Sequence, residues 1–193
     1  LLLLPFYFLK DRSMQKKLKQ LLGDNEVNSQ VKKFDFRDLN SQSCGKKLKE
    51  LQPDFILVYG TGILQERIFS KSKIATLNMH MGITPEYRGS KSEFWALYNS
   101  EDHMVGSTIH IVDKGIDTGE VISQIYIDVQ AEDDYVTLRA KNIQNLAQEI
   151  YRVMINIKQG QVNKISTTGR RSQFFSTPSL SQYRELDKRL GLK

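Results

Sequence analysis

Two polar residues stand at the end of an apolar run: Asn78 and His80, in IATLNMHMG. Side chains of an extended segment alternate faces, so residues spaced i, i+2 point the same way. A strand carrying an amide and an imidazole on one face, and running on into the loop GITPEYRG, presents them where open α/β sheets bind ligands. Two more candidates follow. His110 shares a strand face with Thr108 and Val112, and Asp117 sits between the glycines of KGIDTG. An uncharged amide donor, a proton carrier and a carboxylate to orient it are the parts that acyl-type transfer needs. A lone histidine is more often structural than catalytic, so residue types alone leave both readings open. Spacing does not show that Asp117 meets His80 in space.

These groups need elements to position them. Residues 55–59, FILVY, form a continuous apolar run, the pattern of a strand covered on both faces of a parallel sheet. Gly60-Thr61-Gly62 follows; its glycines let a ligand approach the backbone, and a plain tight turn fits them equally. A helix over 63–69 and a strand over 74–78 come next, and the strand, helix, strand order requires a crossover and therefore a parallel pair. Residues 90–99 carry Phe94, Trp95, Leu97 and Tyr98 at helical spacing, with Trp95 read as core packing. A strand over 106–113 breaks at 114–119 and resumes over 121–127 as its outer partner. The clearest helix spans 134–157, a packing helix whose polar face carries nothing catalytic. Upstream, the pattern predicts a surface helix over 11–22, a short edge strand over 31–36, and a helix capped by Asn40 or Ser41 and running to Leu51. Downstream of Gly160 the tail is partly extended, with a last helix from about Ser181.

At 193 residues the chain fits one core, and 39% hydrophobic with 26% charged residues is ordinary for a globular protein. The lone Cys44 excludes an intramolecular disulfide and a cysteine metal cluster, and no metal ligand set is expected. The net charge of +6 is uneven, with an acidic middle between basic ends. Such a distribution could steer an anionic substrate; a solvated lysine-rich surface explains it equally. No aromatic residues are interleaved to make a nucleic-acid platform. The opening LLLLPFYFL is too short to span a bilayer, and Lys10, Asp11 and Arg12 follow it directly, unlike a secretory signal. A cytoplasmic protein without membrane contact is expected.

The segments NMHMGITPEYRG, EFWALYN and VGSTIHIVDKGIDTGEVISQ, in this order, resemble the formyltransferase family that uses 10-formyltetrahydrofolate. Its relatives include glycinamide ribonucleotide, methionyl-tRNA and sugar N-formyltransferases. The match covers about residues 53–150. The resemblance implies an α/β fold, a Rossmann-like three-layer α/β/α arrangement with a mostly parallel sheet. No counterpart of the family's first strand and loop is found before Val31, so the chain is expected to lack its first βα unit. A formyltransferase domain over 1–157 and a basic C-terminal extension over 158–193 follow from this reading.

Carried over residue by residue, the resemblance makes Asn78, His80 and Asp117 catalytic. A substrate amine attacks the formyl carbon, Asn78 and protonated His80 stabilise the tetrahedral oxyanion, and Asp117 orients His80 and helps remove the amine proton through water. The co-substrate is 10-formyltetrahydrofolate, its pterin held by Tyr59, Gly60, Thr61, Gly62, Ile63 and Leu64 on one side and by Gly115 and Ile116 on the other. His110 stands behind the pair, or is a satisfied core histidine. Arg88 and Gly89 are assigned to the substrate, with an Arg88 that ties down its own loop as the equal alternative.

The version YRGSKSEFWALYN looks more like enzymes acting on nucleotide-linked amino sugars, so a small anionic amine is the expected acceptor. Glycinamide ribonucleotide is the alternative. Methionyl-tRNA is disfavoured because only about 35 residues follow the long helix, and a nucleic-acid-binding module because it rests only on the basic ends and lacks any recognised motif. A non-catalytic folate-binding remnant and a homodimer both stay open.

Overall fold

The structure, a computed structural model, describes residues 14–23 and 31–191. Its elements run α1 (residues 14–22), α2 (Gln42–Leu51), β1 (Phe55–Val58), α3 (Glu66–Phe69), β2 (Ala75–His80), β3 (Arg88–Gly89), α4 (Ser92–Tyr98), a short 3-10 turn (Asp102–Met104), β4 (Gly106–Ile111), β5 (Val121–Tyr126), α5 (Tyr135–Lys158), β6 (Phe174–Phe175) and α6 (Leu180–Arg189). The opening run LLLLPFYFL lies outside the described residues.

The main sheet has the order β1-β2-β4-β5. β1 and β2 are parallel, as the intervening α3 crossover requires, but β2 with β4 and β4 with β5 are antiparallel. Among the described residues the sheet is therefore mixed rather than mostly parallel. For the β4/β5 pair the cause is the short link of residues 112–120, which turns the chain straight back and leaves no room for a crossover helix. The expected edge strand over 31–36 is not formed; these residues are irregular and largely exposed. Ser41 is the N-cap of α2, its hydroxyl accepting from the Cys44 N–H at 3.3 Å. α3 starts three residues later than the pattern predicts, because Ile63 to Gln65 remain non-helical.

Alternation on β2 divides the sheet into a packing face and a working face. Leu77 is fully buried and joins Ile109, Leu146, Ile150 and Val153 beneath α5. Asp134 starts that helix with a reciprocal capping box, its carboxylate accepting from the Val136 and Thr137 N–H groups. The opposite face carries Asn78 and His80. A second core joins α4 and the start of α5 to Tyr87, Val105, Phe175, Tyr183 and Leu186.

The segment after α5 thus packs into this second core, together with α4 and the start of α5. β6 pairs in parallel with β3, Phe175 stacks on Tyr87 at 5.1 Å, and the Trp95 indole donates to the Ser176 carbonyl at 2.8 Å. Trp95 packs against this core, as expected. Much of the tail's positive charge is used in these contacts. Arg170 grips Glu86 through two nitrogens at 2.9 and 2.7 Å, Arg171 pairs with Glu101, and Arg189 donates to the carbonyls of Leu97 and Tyr98. Steering by a free basic tail is replaced by attachment of the tail to an acidic body.

Candidate active site

Register brings the first two candidates together. In the β2/β4 ladder Asn78 lies directly opposite His110, and His80 opposite Thr108. Directly paired residues project side by side from one face, and the Asn78 amide nitrogen is 3.1 Å from His110 Nε2. A register shift next to His110, where β4 meets β5, marks the end of regular pairing.

The loop after β4 then supplies Asp117, whose backbone is left-handed with φ of 50°. Asp113 shapes that loop, its carboxylate accepting from the Gly115 N–H at 3.0 Å and the Thr118 hydroxyl at 2.8 Å. Asp117 reaches back to β2. Asn78 Nδ2 donates to its Oδ1 at 2.9 Å, the Gly89 N–H donates to its Oδ2 at 2.8 Å, and His80 Nδ1 and His110 Nε2 each lie 3.5 Å from it. Gly89 has φ of 97°, and a Cβ there would sit 2.2 Å from the Phe175 carbonyl. Only glycine lets β3 run this close to β6 while aiming its N–H at the carboxylate.

Partners assign the protons. His110 Nδ1 is 2.9 Å from the Ile111 carbonyl, which only accepts, so the neutral ring is protonated there and its Nε2 accepts from Asn78. Both amide hydrogens of Asn78 are then engaged, and its oxygen is the end left without a partner among the described residues. His80 Nε2 lies 2.7 Å from the Tyr87 carbonyl and carries its proton on that side, leaving Nδ1 toward Asp117. Gly82 keeps this ring in place by having no side chain: a Cβ there would be 2.6 Å from His80 Nε2.

The electrostatics of the pair are opposed. Burial pushes the His80 imidazole below its usual value, with the Asp117 carboxylate and the Tyr87 carbonyl pulling the other way. Burial outweighs the carboxylate in the resting site. Burial would also raise the Asp117 carboxyl, but the adjacent His110 ring, attraction to His80 and the Gly89 N–H hold it down at about 2. Attraction to a charged His80 and a neutral His80 do not fully coexist. With His80 neutral, hydrogen bonds from Asn78 and Gly89 keep Asp117 ionised, so the resting couple is carboxylate and neutral imidazole. Both His80 nitrogens face acceptors, so a proton arriving at Nδ1 immediately finds Asp117.

Around this group lies a cleft of about 480 Å³, a size suited to a small ligand. Asn78, His80, His110 and Asp117 line it, together with Tyr59, Gly60, Thr61, Gly62, Ile63, Leu64, Gly115 and Ile116. Gly89 also lines it. Arg88 does not: its guanidinium donates to the Ile116 carbonyl at 3.0 Å and ties β3 to the Asp117 loop rather than reaching into the cleft. His103 is exposed and remote from the lining.

Sequence reasoning missed two parts of the wall. Glu93 on α4 is 3% exposed, lies 3.8 Å from Arg139 of α5 and lines the cleft with it, so the polar face of α5 does contribute to the site. A carboxylate inside the apolar stretch EFWALY was the available signal. Phe174 and Thr177, from the tail, also line the cleft. No local pattern announced them.

Comparison with known proteins agrees with this geometry. The chain is 35% identical over 125 residues to the methionyl-tRNA formyltransferase of Thermodesulfovibrio yellowstonii, covering 64% of this chain and 40% of that protein. A second methionyl-tRNA formyltransferase, from Nitratiruptor, is 34% identical over 126 residues. The chain thus spans about 40% of the length of the curated relatives it matches. Among solved structures, a 4-N formyltransferase from Francisella tularensis superposes with a TM-score of 0.62 at 18% identity, over 90% of this chain and 75% of that one. The formyltransferase PseJ from Anoxybacillus kamchatkensis, in complex with UDP-4,6-dideoxy-4-formamido-L-AltNAc and tetrahydrofolate, gives 0.58 at 24% identity, over 88% and 85%. These likenesses bear out the expected α/β formyltransferase fold. The family model described as Formyl transferase matches residues 10–155, three quarters of the sequence, and the chain belongs to that family.

Proposed function

We propose that the protein transfers a formyl group from 10-formyltetrahydrofolate to a primary amine, with Asn78, His80 and Asp117 carrying the chemistry. The observation that supports this most is the convergence of an amide, a neutral imidazole and an ionised carboxylate from two strands and a loop in one cleft. The amine nitrogen attacks the formyl carbon, and the carbonyl oxygen becomes an oxyanion. The Asn78 amide donates to that charge by turning a hydrogen away from His110 or Asp117, and an oxyanion donor contributes about 3–4 kcal/mol. The amine proton passes to the Asp117–His80 couple, where Nδ1 stores it. Collapse of the intermediate breaks the bond to the folate nitrogen, which keeps the electron pair and takes the stored proton. The donor's flat pterin is assigned to the wall of Tyr59 to Leu64 and Gly115 to Ile116.

For the acceptor we favour the amine of a nucleotide-linked amino sugar, supported by YRGSKSEFWALYN and by superposition on enzymes of that kind. A methionyl-tRNA acceptor is the second reading, favoured by the relatives of highest sequence identity quoted above. Incubation with 10-formyltetrahydrofolate and either amino-sugar nucleotides or charged initiator tRNA separates them by the mass gain of one formyl group. Asn78→Ala and Asp117→Ala lose turnover by about 100-fold or more while remaining folded. Near-normal rates in either variant refute the site, and bound donor without transfer to any amine points to a binding protein.

A further inference from the structure

The ring of Phe174 is 51% exposed, and it lies in the wall of the cleft. Its neighbour Phe175 is buried and stacks on Tyr87 and Trp95, at 5.1 and 5.0 Å. Strand alternation therefore turns Phe175 into the core and Phe174 out of it. The outward ring is nonetheless held in place. Arg88 N donates to the Gln173 carbonyl at 3.0 Å and Ser90 N to the Phe175 carbonyl at 2.9 Å, so the backbone on either side is fixed. A Cβ on Gly89 would meet Phe174 Cε2 at 2.8 Å, which means the ring edge rests directly on that glycine. Gly89 is also the residue whose N–H holds Asp117 Oδ2. The ring is thus one residue removed from the carboxylate at which the amine must arrive.

We infer that Phe174 is the platform for the acceptor, stacking on the apolar C–H face of the sugar ring that bears the amine. The inference rests on the amino-sugar reading above and deepens it. A molecule whose nitrogen reaches Asp117 must pass its adjoining carbons over Gly89, and the surface beside Gly89 is this ring. A nucleobase, separated from the amine by a diphosphate, lies too far from the carboxylate to occupy the same place. Dideoxy amino sugars present more C–H surface than fully hydroxylated ones, which matches an aromatic wall. Phe174 lies outside residues 10–155, so this platform is carried by a part of the chain beyond the family-wide match.

Titration calorimetry tests it with five probes on the full chain: UDP- and dTDP-linked 4-amino-4,6-dideoxyglucose, bare UDP and dTDP, and 5-formyltetrahydrofolate for the donor side. Phe174→Ala weakens the sugar nucleotides by about tenfold, the order seen when an aromatic anchor is truncated. Bare nucleotides and the folate stay within about twofold, and Phe174→Trp retains sugar-nucleotide binding. Unchanged sugar-nucleotide affinity in Phe174→Ala overturns the inference alone. An equal loss for bare nucleotides reassigns the ring to the base, and a loss confined to the folate reassigns it to the donor; either outcome overturns it. A wild type that binds the folate but no sugar nucleotide overturns it together with the amino-sugar reading.

Discussion

Gly89→Ala is the most informative single change, because two independent costs can be read off its surroundings. The first is backbone strain: an alanine at φ of 97° sits where L-residues rarely go, at about 1–3 kcal/mol. The second is contact. The added Cβ falls 2.2 Å from the Phe175 carbonyl oxygen and 2.8 Å from Phe174, and the first of these is backbone that must move. Forced overpacking costs about 1–3 kcal/mol, and separating β3 from β6 strains the Ser90 N–H bond to Phe175 at 2.9 Å, worth about 1 kcal/mol. The total is about 3 kcal/mol or more. Gly60→Ala is the control: its φ is 61° with nothing within 4 Å of the added carbon, so it carries only the backbone cost of about 1 kcal/mol. With a urea m-value of about 2–3 kcal/mol/M, the Gly89→Ala midpoint falls by roughly 1 M or more and the Gly60→Ala midpoint by under about 0.5 M. Equal shifts in the two variants would show that the close approach of β3 and β6 does not constrain the site.

The resting couple also fixes a pH dependence. His80 is held below 6.5 in the fold but takes its proton near 6.5 when unfolded, so it makes stability fall as pH drops below about 6.5. Asp117, lowered from 3.8 to about 2, contributes stability that is present above about 4 and lost as pH falls toward 2. His80→Gln flattens the first window in urea titrations between pH 7 and 5; parallel curves for variant and wild type would contradict a buried neutral imidazole. Arg170→Ala leaves Glu86, whose side chain is 12% exposed, without its two-pronged partner, and costs about 2–3 kcal/mol. Removing Glu86 as well recovers part of that loss in a double-mutant cycle, whereas simple additivity would mean the pair contributes nothing.

What the sequence disclosed follows the range of its signals. Alternation along residues 74–80 put Asn78 and His80 on one face, and the apolar run 55–59 marked a strand, because both are local consequences of strand geometry. Asp117 was visible as a carboxylate between glycines, but its meeting with His80 depends on the β2/β4 register and on Asp113 folding the loop. Neither leaves a pattern in the residues themselves. The same holds for Arg139, which periodicity could only class as the polar face of a packing helix. For His80 the neighbouring carboxylate is legible in sequence, whereas the burial that lowers the imidazole is not. The weak alternation of 31–36 suggested a strand, yet those residues find no partner strand among the described residues.

The pairing of β6 with β3 has a consequence for the order in which the site comes into being. On a chain made from the amino terminus, the amide, both histidines and the carboxylate are all present once β5 has emerged. Gly89 acquires its partner, and Phe174 its place, only after α5 and the following turn have been added. Closing a contact between such distant stretches carries a loop-entropy cost that local contacts avoid, so it forms late. A nascent chain therefore holds the polar groups of the site before it holds the complete wall of the cleft around them.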